Sequence, residues 1–302
     1  EQFQGSMHWK KVSGKDYLYR GYTGGRAASL GVRTRETEEI KHKFDAEKNE
    51  LATTYKSLSE KIKMHAGFIR AANLNRLPVT AAKVIRKFNN EGIPYRIIGT
   101  NALYVFEQYA GVQIAPQHLA TMDVDILMDS RQAIKIVSGL NRQSLLGIIK
   151  ETDKTFKRLS GDKHEFTAIN DSGYRIDFIT QGQDPMTENE FSAQLDQDDL
   201  QPVEIASLKW PISSPKFSGI AFDTKGFSVR IDTIDPRAFA LHKWYVSQQP
   251  DREPIKRDRD ASQARIVASM INQNLLGVSL VSVINKLFPN TIINRAAGDL
   301  DF

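Results

Sequence analysis

Residues 122–128 (MDVDILM) constrain the fold more than any other stretch, because apolar and acidic residues alternate along them. A period of two predicts a β-strand with one buried face, from whose other face Asp123 and Asp125 project together. Two neighbouring carboxylates repel each other, which favours a divalent cation bound by their oxygens. The alternative is an edge strand whose aspartates face water.

A second predicted strand, residues 174–179 (YRIDFI), carries Asp177 on the face opposite its bulky apolar residues. A lone aspartate in such a strand is disfavoured unless it has a partner. Arg175 on the same face is one candidate partner. If the strand instead lies beside residues 122–128, three carboxylates converge. Such a triad can hold two Mg²⁺ ions roughly 3.5–4 Å apart for phosphoryl or nucleotidyl transfer.

Gly99, Thr100 and Asn101 lie between an apolar strand and a predicted helix. They form either an ordinary tight turn or a phosphate site, in which backbone N–H groups and a hydroxyl at a helix start contact the anion. The three residues alone do not decide between these interpretations.

The order of these motifs resembles a known pattern. A Gly-Thr turn, then DVDIL, then RIDFI is similar to the DNA polymerase β-like nucleotidyltransferase superfamily. Residues 97–131 and the tail DPRAFALHKWYVSQQPDREPIKRDRDASQA resemble bacterial nucleotidyltransferase-domain proteins akin to AbiEii-type toxins, over about residues 90–270. Thr100 departs from the usual Gly or Ser, and residues 107–121 look like an insertion.

The resemblance implies a role for each matching residue. The catalytic carboxylates, which would also bind Mg²⁺ or Mn²⁺, are Asp123, Asp125 and Asp177. The contacts to the nucleoside triphosphate (NTP) would come from Gly99, Thr100, Asn101, Lys243, Arg252 and Lys256. Asp260 would orient one of the cations. Without the resemblance, Lys243 would be interpreted as an exposed helix lysine.

The predicted fold class is α+β, a nucleotidyltransferase-like mixed sheet with flanking helices. Residues 1–6 are interpreted as a tag remnant, 7–78 as a basic arm that includes a long helix over 35–73, and 79–200 as the catalytic domain. Residues 201–302 are predicted to form a hairpin and a helical subdomain. The apolar stripe of the long helix must pack either on another helix or along the body of the protein.

The N-terminal segment is basic, which suggests contact with a polyanion. Its tyrosines could stack on RNA or could pack the segment onto the protein. The candidate nucleic-acid contacts are Arg20, Arg26, Arg33 and, in the tail, Arg257. The function predicted on this basis is Mg²⁺-dependent transfer of a nucleoside monophosphate to RNA, most simply tRNA, in a toxin or defence protein. A non-catalytic nucleic-acid-binding or assembly module is the alternative.

Composition limits the other possibilities. The chain has no cysteine, which excludes disulfides and thiolate metal sites and fits a cytoplasmic protein. No apolar stretch is long enough to cross a membrane. Beyond NTP and RNA, the predicted partners are an antitoxin or a second copy bound through helix 35–73.

Overall fold

The computed structural model describes residues 5–22, 25–140, 143–159, 166–181, 199–278 and 284–301. The chain divides into two compact units, residues 1–67 and residues 68–302. Most of the acidic loop expected before residue 200 lies outside the described residues.

The N-terminal unit combines a small sheet with a long helix. Strands β1 (Ser6–Val12), β2 (Lys15–Gly21) and β3 (Ala27–Val32) pair antiparallel in that order. These strands were not predicted, because lysines and tyrosines fill positions that an amphipathic strand usually gives to aliphatic residues. The long helix is confirmed as α1 (Arg35–Ala71).

The apolar stripe of α1 is uncovered in its middle, although Ala66 near the C-terminal end is buried like Phe44 near the N-terminal end. Phe44 is buried, whereas Leu51, Tyr55, Leu58 and Ile62 are more than half exposed. These four residues are therefore not covered by this chain, and packing of the stripe on another helix stays a prediction.

The second unit is built on a mixed sheet, which confirms the predicted fold class. Its strands are β4 (Asn75–Leu77), β5 (Arg96–Ile98), β6 (Asp123–Met128), β7 (Lys157–Arg158), β8 (Thr167–Ile169), β9 (Arg175–Gln181), β10 (Val203–Ile205), β11 (Lys216–Asp223) and β12 (Ser228–Ile234). They follow the order β4-β11-β12-β5-β6-β9-β8-β7, and β10 pairs with the second half of β9. Pairs β6–β9, β12–β5, β11–β4 and β10–β9 are parallel.

Both predicted hairpins form. Strands β8 and β9 are joined through a turn in which Gly173 has a φ of +79°. Strands β11 and β12, which the sequence groups with the C-terminal helices, pair into the main sheet beside β5.

Helices surround the sheet. They are α2 (Val79–Glu91), α3 (Leu103–Ala110), α4 (Ala133–Leu140), α5 (Leu145–Thr152), α6 (Lys209–Ser213), α7 (Pro236–Ser247), α8 (Pro254–Asn272) and α9 (Asn290–Leu300). The sequence marks two of the helix ends, with a glycine after α2 and an Asp-Pro pair before α7. In the structure α2 ends at Gly92 with φ +69°, and the Asp235 side chain accepts a hydrogen bond from the Arg237 backbone N–H at the start of α7.

One segment of the predicted helical subdomain differs from the structure. The apolar face of residues 275–288 (LLGVSLVSVINKLF) predicts a helix, but Gly277 adopts a φ of +62° and residues 284–286 form a single 3₁₀ turn. Residues 279–283 lie outside the described part of the chain. Gly277 accounts for the difference, because a residue in the left-handed backbone conformation cannot continue an α-helix.

Candidate active site

The three carboxylates are brought together by the pairing of β6 with β9. The strands are parallel neighbours, in register with Asp125 opposite Asp177. Val124 and Ile176, one residue earlier, are buried on the opposite face of the sheet, whereas the aspartates are half-buried. The conditional prediction that these two strands lie side by side is therefore confirmed. The alternative of an edge strand is wrong, because β6 lies between β5 and β9.

Two of the carboxylates are held by neighbouring hydroxyls. Asp177 Oδ1 accepts a hydrogen bond of 2.6 Å from Thr167, its register partner on β8, and Asp123 accepts one from Thr121. In this arrangement, no group of three His, Cys, Asp or Glu side chains among the described residues lies close enough together to hold a metal ion. The oxygens are the donors that Mg²⁺ prefers. A cation would have to draw Asp123 and Asp177 further towards Asp125.

Asp125 experiences the strongest electrostatic conflict in the site. Burial raises the pKa of its carboxyl to about 7, with further contributions from the charges of Asp123 and Asp177. The charges of Lys243 and Arg252 act in the opposite direction. The carboxylate therefore lacks full compensation from the side chains around it.

Gly99 makes room for this carboxylate. Its φ is +68°, and a Cβ built at this position would lie 2.1 Å from Asp125 Oδ2. Any side chain would displace the carboxylate and would also strain the backbone. The Gly99 turn and the aspartates of β6 are therefore sterically linked, because the glycine that follows β5 leaves the space into which Asp125 points.

Thr100 and Asn101 are buried behind Gly99 and support the loop. Thr100 Oγ1 accepts a 3.1 Å hydrogen bond from Gln263 Nε2, and Asn101 Nδ2 donates a 2.7 Å bond to the Asp123 carbonyl oxygen. Gln263 Nε2 also donates to the His118 carbonyl oxygen at 2.7 Å. Both polar groups that the resemblance assigns to the triphosphate therefore have protein partners, and their contact with a nucleotide stays a prediction.

The insertion expected over residues 107–121 is part of the core. Ile114 and Leu119 are buried, and a 3₁₀ turn at Pro116–His118 places the carbonyl that Gln263 contacts. The insertion therefore connects the Gly99 loop to α8.

Two predicted cations share one buried acid. Lys243 Nζ lies 2.6 Å from Asp260 Oδ1, and Arg252 Nη2 lies 2.8 Å from Asp260 Oδ2. Burial alone would raise the pKa of Asp260, but Lys243 and Arg252 hold it below its usual value. Lys243 is only 12 % exposed, so it is not an exposed helix lysine. The structure confirms that Asp260 orients cations, and it pairs with both.

Lys256 and Arg257 occupy a different position. Lys256 Nζ pairs with Glu253 at 2.8 Å, and its side chain is 47 % exposed. Neither residue belongs to the described lining of the cavity beside Asp125. The structure does not bring them to the other candidate site residues, and their predicted roles remain predictions.

That cavity has a volume of about 250 Å³ and joins a charged end to an apolar end. Asp125, Lys243 and Arg252 form the charged end. Four lining residues come from one face of α7 at i, i+3, i+4 and i+7 spacing: Phe239, His242, Lys243 and Val246. The remaining lining residues are Ile98, Gly99, Ile205, Ser207, Leu208 and Ile234.

Sequence reasoning missed three polar residues around the site. His242 and Ser207 line the cavity, with His242 Nε2 3.2 Å from Ser207 Oγ, and Gln263 supports the Gly99 loop. Burial, reinforced by the Lys243 charge, lowers the pKa of His242 to about 3, so its imidazole is neutral. Two of these residues could have been found from their positions near predicted site residues. His242 directly precedes Lys243, and Gln263 follows Asp260 by three positions, about one helical turn.

The N-terminal arginines have partners inside their own unit. Arg33 Nε pairs with Glu38 at 2.7 Å, and the Arg20 guanidinium lies 5.4 Å from the centre of the Phe44 ring. Arg26 is exposed. Arg20 and Arg33 therefore have contacts within the N-terminal unit, and the contact of all three arginines with RNA stays a prediction.

The first prediction concerns the repulsion at Asp125. In a buffer without divalent cations, we expect Asp125→Asn to be more stable than the wild type at pH 8, by about 1–2 kcal/mol after allowance for solvent screening. Folding raises the carboxyl pKa from 3.8 to about 7, so the wild type loses stability as pH rises between these values. The advantage of the variant should therefore grow from pH 4 to pH 7 and stay constant above, as measured by urea denaturation.

An exposed aspartate on α8 provides the control. Asp258→Asn should change stability by less than about 0.5 kcal/mol at every pH. A less stable Asp125→Asn protein at pH 8 would show that attractive contacts, and not repulsion, dominate at this carboxylate.

The second prediction concerns the Gly99 loop. Thr100→Val and Gln263→Leu should each lower the free energy of unfolding by about 1–3 kcal/mol, because the first removes one of the two acceptors of Gln263 Nε2 and the second leaves Thr100 Oγ1 and the His118 carbonyl without this donor. The double variant should lose less than the sum of the two, as a double-mutant cycle in urea would measure. Strictly additive losses would contradict a direct interaction between the two side chains.

Comparison with known proteins identifies a family for this chain. A model of a nucleotidyltransferase family matches residues 80–288, about two thirds of the chain. Neither the curated proteins nor the solved structures gave a match. None of the helices in the described ranges is long and apolar enough to cross a membrane. Because the family match spans the carboxylates, the paired cations and every strand of the main sheet except β4, the chain belongs to this nucleotidyltransferase family.

Proposed function

We propose that the protein transfers a nucleoside monophosphate from an NTP to a hydroxyl group of RNA, with Mg²⁺ or Mn²⁺ as cofactor. One observation carries the proposal. A single cavity holds Asp125, at the centre of three carboxylates, together with Lys243 and Arg252. A site for nucleotidyl transfer needs both kinds of charge, acids for cations and cations for phosphates.

The charge balance favours a divalent cofactor. Three carboxylates and Asp260 face two cationic side chains, so the described site is net negative and would repel a triphosphate on its own. A bound divalent cation would supply the missing positive charge, activate the attacking hydroxyl and stabilise the leaving group. Asp123, Asp125 and Asp177 are the residues that would hold it.

The protein side chains then have separate roles. Lys243 and Arg252, oriented by Asp260, bind the phosphates that leave as pyrophosphate. Asp177 accepts the proton of the acceptor hydroxyl, directly or through its contacts. The acceptor oxygen forms a bond to the α-phosphorus as the bond from that phosphorus to the bridging oxygen breaks.

The apolar end of the cavity suits the nucleoside. Because the triphosphate is covalently joined to its ribose, phosphates at Lys243 and Arg252 place the nucleoside within the same cavity. Its apolar wall can contact the faces of the base, and the pair formed by Ser207 and neutral His242 offers hydrogen bonds to its polar edge. This pair would select among the four NTPs.

RNA as acceptor is supported by the basic N-terminal unit. The resemblance to AbiEii-type proteins and the absence of cysteine support four further parts of the proposal. These are a tRNA acceptor, a toxin or defence role, a cognate antitoxin and a cytoplasmic location. Self-association is supported by the exposed apolar residues of α1.

One observation favours the alternative, a non-catalytic scaffold that binds nucleic acid. Asp123 and Asp177 are hydrogen-bonded to threonines and do not enclose an ion with Asp125. In a working enzyme, these bonds must yield to a cation. In a scaffold they would remain.

The third prediction separates the two functions. With Mg²⁺, total RNA and each α-labelled NTP in turn, the wild type should transfer label to RNA. Asp125→Ala should lose more than about 99 % of this activity, because the central carboxylate is absent. Lys243→Met should reduce kcat/KM by at least about tenfold through lost phosphate binding.

Asp258→Ala, an exposed change on the same helix as Asp260, should keep wild-type activity. Label transferred by Asp125→Ala at the wild-type rate would remove this site assignment. A wild-type protein that binds RNA but transfers no label, and whose melting temperature Mg²⁺ leaves unchanged, would favour the scaffold.

The fourth prediction tests the nucleoside end. His242→Leu should change the ratio of kcat/KM values among ATP, GTP, CTP and UTP by about fivefold, the equivalent of one hydrogen bond of roughly 1 kcal/mol. Inhibition by inorganic tripolyphosphate should be unaffected, because the cations remain. Gln248→Leu, an exposed change at the end of α7, should alter neither quantity. An unchanged NTP ratio in His242→Leu would exclude base selection by this pair.

A further inference from the structure

The net charge of the chain is concentrated in the small N-terminal sheet. Residues 6–33 contain six Lys and Arg residues and one Asp, whereas the rest of the chain contains 35 basic and 35 acidic residues. The sheet and its turns therefore account for the whole net charge of +5. A local excess of this size attracts polyanions.

Strand register divides these charges between two faces. Trp9 is opposite Leu18 on the face that packs against α1, where Leu18 is fully buried. Arg20 lies on this face beside Phe44, and Arg33 contacts both Trp9, at 5.0 Å from the ring centre, and Glu38. These arginines are engaged within the unit.

The other face carries aromatic rings interleaved with lysines. His8 is opposite Tyr19, and their rings stack with centres 6.3 Å apart and planes 22° from parallel. Lys10 is opposite Tyr17, and its Nζ lies 5.6 Å from the centre of the Tyr19 ring. His8 and Lys10 are exposed, and both tyrosines are partly exposed. Lys15, opposite Val12 on the same face, is also exposed.

We propose that this face of β1 and β2, formed by His8, Lys10, Lys15, Tyr17 and Tyr19 and called the tyrosine face below, binds single-stranded RNA. Bases stack on the two tyrosine rings while the lysines contact the phosphates between them. A duplex keeps its bases stacked on each other, so its bases are not available to stack on the tyrosine rings. Charge complementarity selects a polyanion, and the rings select one with accessible base faces.

The inference rests on the proposed function only in identifying the bound strand as the acceptor. Stacking on tyrosines was already a possibility in the sequence, but the cations differ: Arg20 and Arg33 belong to the opposite face, and Lys10 and Lys15 lie on the face of Tyr17 and Tyr19.

The fifth prediction measures this directly with the full chain and no NTP. A fluorescently labelled 12-nucleotide oligouridine RNA is titrated by anisotropy. The Tyr17→Ala/Tyr19→Ala variant should bind at least about tenfold more weakly than the wild type, since stacking contributes about 1–3 kcal/mol per base. Lys10→Gln/Lys15→Gln should bind more weakly and also reduce the salt dependence by about one phosphate contact for each lysine.

Two lysines on the exposed side of α1 provide a charge-matched control. Lys56→Gln/Lys63→Gln removes the same charge outside the tyrosine face and should change affinity by less than about twofold. Circular dichroism and an unchanged melting temperature would show that the variants are folded.

Several results would overturn the inference. Equal weakening by the control pair would mean diffuse electrostatic binding. Wild-type RNA affinity in a folded Tyr17→Ala/Tyr19→Ala protein would remove the stacking role. Equal or tighter binding of duplex RNA, or of the corresponding single-stranded DNA, would contradict the choice of ligand.

The assay also distinguishes this inference from the proposed function. Asp125→Ala should bind the oligonucleotide normally while transferring no label. If the wild type binds RNA through the tyrosine face but transfers no label, only the proposed function is contradicted. If the wild type transfers label to RNA and the tyrosine variant binds RNA as tightly as the wild type, only this inference is contradicted.

Discussion

Mutual repulsion among three carboxylates is the constraint on which the site depends. The parallel pairing of β6 with β9 places Asp125 opposite Asp177, and the β-sheet period places Asp123 on the same face. Arg175, which is exposed and opposite Asp123 in register, is the only basic residue of either strand. Compensation comes from Lys243 and Arg252, which are more than 60 residues away along the chain, and it is incomplete because Asp260 shares both cations. The geometry therefore keeps the centre negative enough to attract a cation while leaving two positive groups within its cavity.

Helix α8 connects the two halves of this arrangement. Asp260 and Gln263 are three positions apart and so lie on the same face of the helix. Asp260 holds the two cations, while Gln263 holds Thr100 and the carbonyl of His118. A shift of α8 would therefore disturb the ion pairs of Lys243 and Arg252 and the support of the Gly99 loop together. Because Gly99 is in steric contact with Asp125, such a shift would also reach the carboxylates.

The parts of the site that sequence could predict were those governed by local rules. Alternation identified β6 and β9, and the Asp-Pro pair identified the start of α7. The pairing of the two strands could be stated only as a condition, because register depends on the whole sheet. The partner of Thr100 could not be predicted, since Gln263 is 163 positions away and carries no motif. His242 was missed because only the packing of α7 shows which of its faces lines the cavity.

The N-terminal sheet shows the same limit of sequence-based prediction, here for exposed rather than buried side chains. Composition correctly marked residues 7–33 as basic and aromatic, but it could not separate arginines that pack on α1 from lysines that face solvent. Once β1 and β2 are paired, the period of two assigns Trp9, Leu18 and Arg20 to one face and Lys10, Tyr17 and Tyr19 to the other. The rule that places Asp123 beside Asp125 thus also determines which charges are available to a ligand. In both units, function depends on the face on which a residue lies more than on how many residues of its type are nearby.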